Sequence, residues 1–330
     1  MCFIHRLVPS VSMAMTMYLT NICGFALQVV VCFKRHDIIN ALNQLCNLCH
    51  ILNPKGFAEN SNVNRSLFVF LAIETVFLAA MNYFCFYQEW NNYKSTMEFP
   101  IYIPPEIRGK CLAFVFMAVI FSVATGVATL SISTLLCRHI YLMIGNLVRS
   151  YRIGLKMKLN TQTLSSFIFE ELKSLKEIAS IVYTVDRGFN LCTLLQYCNV
   201  CSFMFITVSV AVSKDETFQS DWIIFFIILN LIIATSLFYT ITVSGSSIWE
   251  EGEQLKKICL ECSSEVCKQS IAVSDGKDGS LHSFFFLLES IRDAPLKVTG
   301  GGLFVIRKKI FLAMINAVVT YSIVMYQLND

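Results

Sequence analysis

The polar side chains Thr320, Tyr321 and Gln327 lie within or at the end of the predominantly apolar segment Ile310 to Gln327 near the C-terminus. Hydroxyl and amide groups are costly inside a bilayer unless they face protein or water. The segment is long enough to cross a membrane, and it follows the basic cluster Arg307 to Lys309. The pattern therefore predicts a C-terminal membrane helix that lines a polar space.

Two CxxC pairs, Cys46/Cys49 and Cys259/Cys262, have the spacing of metal-ligating cysteines. Four thiolates would bind zinc if the two pairs met in the fold. Cysteines at positions i and i+3 of a helix in a reducing compartment are the commoner explanation, and we favour it here. No cofactor and no nucleic-acid partner is indicated.

Catalytic patterns are weak in this sequence. It contains no HExxH, P-loop or GxSxG motif, and an intramembrane enzyme would need several ionisable groups in its spans. The histidines are isolated from one another: His5, His36, His50, His139 and His282. We predict that the protein is not an enzyme.

Glu74 is the ionisable residue that lies clearly inside a predicted span, about ten residues or roughly 15 Å from its end. A carboxylate at that depth is expected to be protonated, paired or facing a cavity. Contact with a ligand or ion is one explanation, and a satisfied hydrogen bond to a neighbouring helix is the other.

Aromatic and polar residues in the predicted spans are typical of a small-molecule pocket. The alternative is an aromatic belt at the membrane surface, which we favour for Trp90 and Trp222. The deeper Tyr83 and Tyr197 are the better pocket candidates. The predicted ligand-binding residues are Glu74, Tyr83, Tyr87, Gln196 and Tyr197.

The elements that carry these residues are predicted membrane helices. The 330 residues are 55% hydrophobic and only 15% charged, with a mean hydropathy of +0.60. Soluble domains have about 25% charged residues, so the composition predicts an all-α polytopic membrane protein. Six stretches are long enough to span a bilayer, at residues 8–33, 66–87, 111–137, 188–212, 221–244 and 305–327.

Basic residues are distributed unequally between the two sides of the predicted membrane. The three long connections, 34–65, 138–187 and 256–309, contain 21 of the 26 lysines and arginines. The positive-inside rule places these connections in the cytoplasm and the C-terminus outside.

Parts of the long connections have apolar residues at helical spacing. The 3–4 spacing places one apolar stripe on an otherwise charged helix. A bundle of cytoplasmic helix extensions would bury the stripes, and we favour it over helices lying on the membrane surface. The stripes are Leu136, Ile140, Met143 and Leu147; Ile168, Leu172, Leu175, Ala179 and Val182; and Leu255, Cys259, Cys262 and Val266.

The segment before the last span contains the glycine run Gly300 to Gly302. Glycine tolerates conformations that other residues avoid, so the run predicts a sharp bend or a close approach of two backbones.

The chain ends with Thr320-Tyr321, an apolar stretch and Gln327-Leu328, which resembles the TYhhhhhQF signature of insect-type gustatory receptors. Upstream, the sequence PLKVTGGGLF from Pro295 to Phe304 is similar to the PLxxTAxGxF element of that family. The two motifs have the order and separation found in the family.

This resemblance implies a seven-transmembrane-type chemoreceptor channel whose topology is inverted relative to G-protein-coupled receptors. It implies a plasma-membrane homo- or heterotetramer in contact with lipid, in which the final helix lines a cation pore and the cytoplasmic extensions anchor the subunits. A small-molecule tastant would bind among the outer halves of the other helices.

Two departures from the family pattern are visible. Six spans are recognised, so the resemblance implies that the first span is missing. The motif's final Phe, which with the preceding Gln forms the pore constriction in the family, is Leu328 here. Gln327 and Leu328 are thus the predicted gate, and Thr320 and Tyr321 would position the helix by packing or hydrogen bonding.

Five segments are predicted: 1–135 for spans and ligand binding, 136–187 for anchor helices, 188–248 for two spans, 249–302 for a further anchor segment, and 303–330 for the pore helix. A G-protein-coupled receptor is an alternative, but it would place the C-terminus inside, against the charge distribution. A transporter is another alternative, which would usually show internal repeats or paired broken helices.

Overall fold

The computed structural model describes residues 22–52, 105–161, 164–212, 221–272 and 278–329, together with the isolated positions 19, 69 and 76. This part of the chain is almost entirely helical, which confirms the predicted fold class. The elements are α1 Ile22–Phe33, α2 Arg35–Leu52, α3 Pro105–Thr161, α4 Leu164–Val212, α5 Asp221–Ala272, α6 Asp278–Asp293, β1 Thr299–Gly300, β2 Phe304–Val305 and α7 Lys308–Asn329.

Three helices are much longer than a bilayer is thick. Helices α3, α4 and α5 contain 57, 49 and 52 residues. At about 1.5 Å per residue they are roughly 70–85 Å long, whereas the hydrocarbon core is about 30 Å thick. Among the described residues, the stretches long and apolar enough to cross a membrane are Ala128–Leu159, Phe167–Ser209 and Leu231–Cys262. The predicted helix extensions are confirmed, whereas most of the predicted span at 66–87 lies outside the described residues.

The predicted apolar stripes are buried where the long helices meet. Ile140 and Leu147 of α3, Leu175 and Val182 of α4, and Leu255 of α5 belong to one core, and each is at most 3% exposed. Full burial of a Leu or Ile side chain contributes about 1.5–3 kcal/mol, so the stripes hold the extensions together as a bundle.

Polar contacts also connect the extensions. The Arg152 Nε lies 2.9 Å from a carboxylate oxygen of Glu251, which joins α3 to α5. The Lys158 Nζ lies 2.6 Å from the Glu171 carboxylate, and the Tyr151 hydroxyl donates to the Glu171 carbonyl at 3.1 Å. A buried carboxylate is tolerated when it is paired, so the contact with Lys158 permits Glu171 to be only 5% exposed.

Helix α6 is an element that the sequence pattern did not predict. Its inner face is formed by Phe284, Leu287 and Ile291, each 1% exposed, and it packs against α4 and α5. The spacing of these residues is helical, but the run Phe284 to Leu288 is apolar at every position. A continuous apolar run hides the periodicity by which an amphipathic helix is recognised.

Candidate functional site

A tight hairpin joins α6 to the C-terminal helix α7. Strands β1 and β2 pair antiparallel, and Gly301 and Gly302 between them have φ angles of 62° and 72°. L-residues with a side chain rarely adopt this left-handed conformation. The Gly301 N–H donates to the Asn190 carbonyl of α4 at 2.8 Å, so the predicted bend and close backbone approach are both confirmed.

The hairpin is also fastened to α4 by a carboxylate. Asp186 accepts a hydrogen bond from the Thr299 N–H at 2.6 Å, and the Thr299 hydroxyl lies 3.0 Å from both Asp186 carboxylate oxygens. Hydrogen bonds to a charged acceptor are stronger than those between neutral groups. We call residues 299–305, held on α4 by Asp186 and Asn190, the collar.

The residues immediately before α7 and at its start are fastened to α5. The Arg307 guanidinium lies over the Trp249 ring, 4.2 Å from its centroid, and the Lys308 Nζ lies 2.9 Å from the Glu250 carboxylate. The collar and these two contacts therefore determine both the position and the rotation of the base of α7.

One face of α7 is covered by α4. Val318 is 8% exposed, and the Tyr321 and Ser209 hydroxyls are 2.9 Å apart. The Tyr321 ring also meets Phe205 edge to face, with a centroid distance of 4.9 Å. These contacts direct Tyr321 toward the protein interior.

The opposite face of α7 is uncovered and carries polar residues. Asn316, Thr320 and Gln327 are all exposed. At about 100° per residue, the three side chains project within about 40° of one another and form a stripe along the helix. Asn316 is not among the polar residues predicted from the sequence, although its spacing from Thr320 and Gln327 is the signal that would have identified it.

Gln196 and Tyr197 lie inside the helix bundle. The Tyr197 and Thr242 hydroxyls are 2.8 Å apart, and the Tyr197 ring meets Phe304 of the collar edge to face at 5.4 Å. The Gln196 amide is 0% exposed and donates from Nε2 to the Cys137 sulfur at 3.7 Å. These two residues thus connect α3, α4, α5 and the collar, and their role in ligand binding stays a prediction.

Three buried polar atoms of the bundle have unused hydrogen-bonding capacity. Within the described part of the chain, Gln196 Oε1, Ser131 Oγ and Thr134 Oγ1 are buried without a hydrogen-bond partner. Leaving such a group unsatisfied costs about 1–3 kcal/mol.

The remaining predicted site residues are not described. Glu74, Tyr83 and Tyr87 lie outside the described residues, as does the side chain of Leu328. Their roles in ligand binding and gating stay predictions.

The CxxC cysteines are on helices of the bundle. Across the described residues, no group of three or more His, Cys, Asp or Glu side chains is arranged to bind a metal ion. Burial, with a smaller contribution from Cys46, raises the pKa of the Cys49 thiol to about 11. A protonated thiol is a poor metal ligand, because metals bind the thiolate.

Long apolar helices, a bundle of helix extensions and a half-covered C-terminal helix define a polytopic helical membrane protein. The sequence matches the family described as 7tm chemosensory receptor over residues 10–329. The chain therefore belongs to the 7tm chemosensory receptor family, which confirms the family relationship that its C-terminal motifs predict.

Two solved structures of an insect olfactory receptor, OR5 from Machilis hrabei, have a similar fold. The TM-score between this chain and the receptor structure in complex with eugenol is 0.53, and the TM-score to the second receptor structure is 0.52. In both cases the identity is 12%, and the alignment covers 96% of this chain and 88% of the receptor. No curated protein matches the sequence at the level taken as significant.

Proposed function

We propose that this chain is a subunit of a gustatory, ligand-gated, non-selective cation channel. The observation that carries the proposal is the uncovered stripe of Asn316, Thr320 and Gln327 on a membrane-length helix. Polar groups on a membrane helix face water or protein. In a tetramer of this chain, alone or with related subunits, four such stripes would surround a central pore.

The outer end of the stripe is the proposed gate. Gln327 and Leu328 occupy the motif positions of the family constriction, and a ring of leucines closes a pore by excluding water. The covered Tyr321 holds the helix against α4, while Thr320 lines the pore. Segment 303–330 is then the pore helix, 136–187 and 249–302 form the anchor, 188–248 contains two spans, and 1–135 contributes most to ligand binding.

A small-molecule tastant is the proposed activator. The olfactory receptor OR5 was solved in complex with eugenol, a small molecule, and its fold is similar. A ligand opens a channel only through its higher affinity for the open state. We propose that the ligand contacts Glu74, Tyr83, Tyr87, Gln196 and Tyr197, of which Tyr197 packs on the collar at the base of α7.

Electrical recording separates this proposal from a G-protein-coupled receptor or a transporter. Cells that express the chain are exposed to a tastant panel while G-protein signalling is inhibited. Ligand-evoked current that persists supports a channel, and current that requires G proteins contradicts it. An epitope after Asp330 should stain on intact cells, because the proposed plasma-membrane topology places the C-terminus outside.

The polar stripe should be reachable by cations. We expect a cationic methanethiosulfonate reagent to reduce ligand-evoked current by on the order of half or more in Asn316→Cys, Thr320→Cys and Gln327→Cys channels. Val318→Cys is the matched control, since Val318 is buried against the same subunit. The current of the native chain, recorded before and after the reagent, gives the background block that arises from its own cysteines. Equal block at Val318 and at the three stripe positions would contradict a pore on this face.

A further inference from the structure

Three consecutive cations precede or begin α7, and their surroundings differ. Arg307 lies over the Trp249 ring, and Lys308 forms an ion pair with Glu250 at 2.9 Å. Lys309 is exposed, and none of the ion pairs between described residues includes it. Arg307 and Lys308 therefore fasten α7 to α5, whereas Lys309 is not used for this attachment.

Lys309 lies on the same face of α7 as the polar stripe. It precedes Asn316 by seven positions, which at about 100° per residue places the two side chains within about 20° of each other. The rise of about 1.5 Å per residue puts Lys309 roughly 10 Å below Asn316 along the helix axis. The Lys309 ammonium is therefore at the base of the uncovered face.

We propose that Lys309 forms a positively charged ring at the cytoplasmic mouth of the pore and limits the outward flow of cations. The inference rests on the proposed function, because it requires several α7 helices around one pore with their C-termini outside. The carboxylate of Glu250 on α5 is paired with Lys308, and not with Lys309. Cations within a Debye length, about 8 Å in physiological salt, are depleted by such a ring.

The test is rectification in inside-out patches with equal potassium chloride on both sides. We expect Lys309→Gln to raise the ratio of outward to inward current on the order of two- to threefold, and Lys309→Glu to raise it further. Lys309→Arg should leave the ratio unchanged. Raising the salt to about 1 M shortens the Debye length to about 3 Å and should remove most of the difference between native and Lys309→Gln channels.

Two further measurements separate a charge effect from altered folding. Lys309→Cys channels are recorded before and after modification, so that each channel is its own reference. A cationic thiol reagent should restore the native ratio, and an anionic one should raise the ratio. Lys176→Gln removes an exposed lysine of α4 that lies roughly 15 Å along the helix from Asp186, and it serves as the matched control for net charge.

The outcomes distinguish this inference from the proposed function. Normal ligand-evoked currents with an unchanged ratio in Lys309→Glu would overturn the role of Lys309 and leave the channel proposal standing. The same change in Lys176→Gln as in Lys309→Gln would also overturn it. Absence of any ligand-evoked current from the native chain at the cell surface would instead count against the channel.

Discussion

Replacement of Gly301 by alanine is expected to lower the thermal unfolding midpoint more than the same replacement at the neighbouring Gly302. Both glycines have positive φ angles, 62° and 72°. An alanine in this left-handed conformation lowers the free energy of unfolding by roughly 1–2 kcal/mol at either position. A Cβ on Gly301 would also lie 2.5 Å from Leu194 Cδ2, whereas a Cβ on Gly302 would meet no atom within 4 Å. Overpacking adds roughly 1–3 kcal/mol at Gly301 alone.

The Gly302→Ala variant is therefore the matched control for the Gly301→Ala variant. Melting is measured by fluorescence-detected size exclusion of the detergent-solubilised chain. If the contact with Leu194 is the cause, truncating that side chain should rescue part of the loss in a Gly301→Ala/Leu194→Ala double variant, as a double-mutant cycle would measure. Equal midpoints for the two glycine variants would show that the close approach to α4 is unimportant.

Removal of the Asp186 carboxylate is the second large effect that we expect. In Asp186→Ala the Thr299 N–H and hydroxyl both lose their acceptor, at 2.6 Å and 3.0 Å. Hydrogen bonds to charged groups contribute about 1.5–3 kcal/mol, so a loss of roughly that size in the free energy of unfolding is expected. Among the described residues, the collar keeps only the Gly301–Asn190 hydrogen bond to α4, so the midpoint concentration of any activating ligand should shift as well.

Two milder variants test whether the hydrogen bonds are responsible. Asp186→Asn keeps an acceptor for the Thr299 N–H but loses the charge, and Thr299→Val removes only the hydroxyl. Each should have a smaller effect on melting than Asp186→Ala. Combining Asp186→Ala with Thr299→Val should add little to Asp186→Ala, because the hydroxyl has already lost its partner. Strict additivity of the two losses would mean that Asp186 and Thr299 act independently.

Both predictions concern the collar, which connects α4 to the base of α7. Phe304 of the collar contacts Tyr197, whose hydroxyl reaches Thr242 of α5. A movement of α4 or α5 would therefore be passed to α7 through packed side chains and hydrogen bonds rather than through a flexible linker. In the proposed channel, this connection places candidate ligand contacts next to the element that carries the gate.

Several features could be predicted because they depend on residues close together in sequence. The stripe of Leu175 and Val182 is visible at 3–4 spacing and is buried as that spacing predicts. The glycine run before the last span predicts a bend for a reason internal to glycine itself. Family membership was likewise carried by short motifs in Pro295 to Phe304 and Thr320 to Leu328.

Other features could not be predicted, since they depend on distant parts of the chain. Asp186 is one of many charged residues on α4, and only the fold brings it to Thr299, 113 positions away. Gln196 and Tyr197 were candidates for a ligand pocket on residue type alone. Their burial, and the contact of Tyr197 with the collar, depend on how α3, α4 and α5 pack.

Sequence alone determined that this is a helical membrane protein whose last helix carries polar groups, because hydropathy and helical spacing are local properties. It did not determine which polar groups are covered. Thr320 and Tyr321 are adjacent, yet Thr320 is exposed while Tyr321 lies 2.9 Å from Ser209, 112 positions earlier. The rotation of α7 about its axis decides between them, and that rotation is set by the collar, by α4 and by the contacts of Arg307 and Lys308 on α5. Only the tertiary structure contains those contacts, so only it identifies Asn316, Thr320 and Gln327 as one uncovered face.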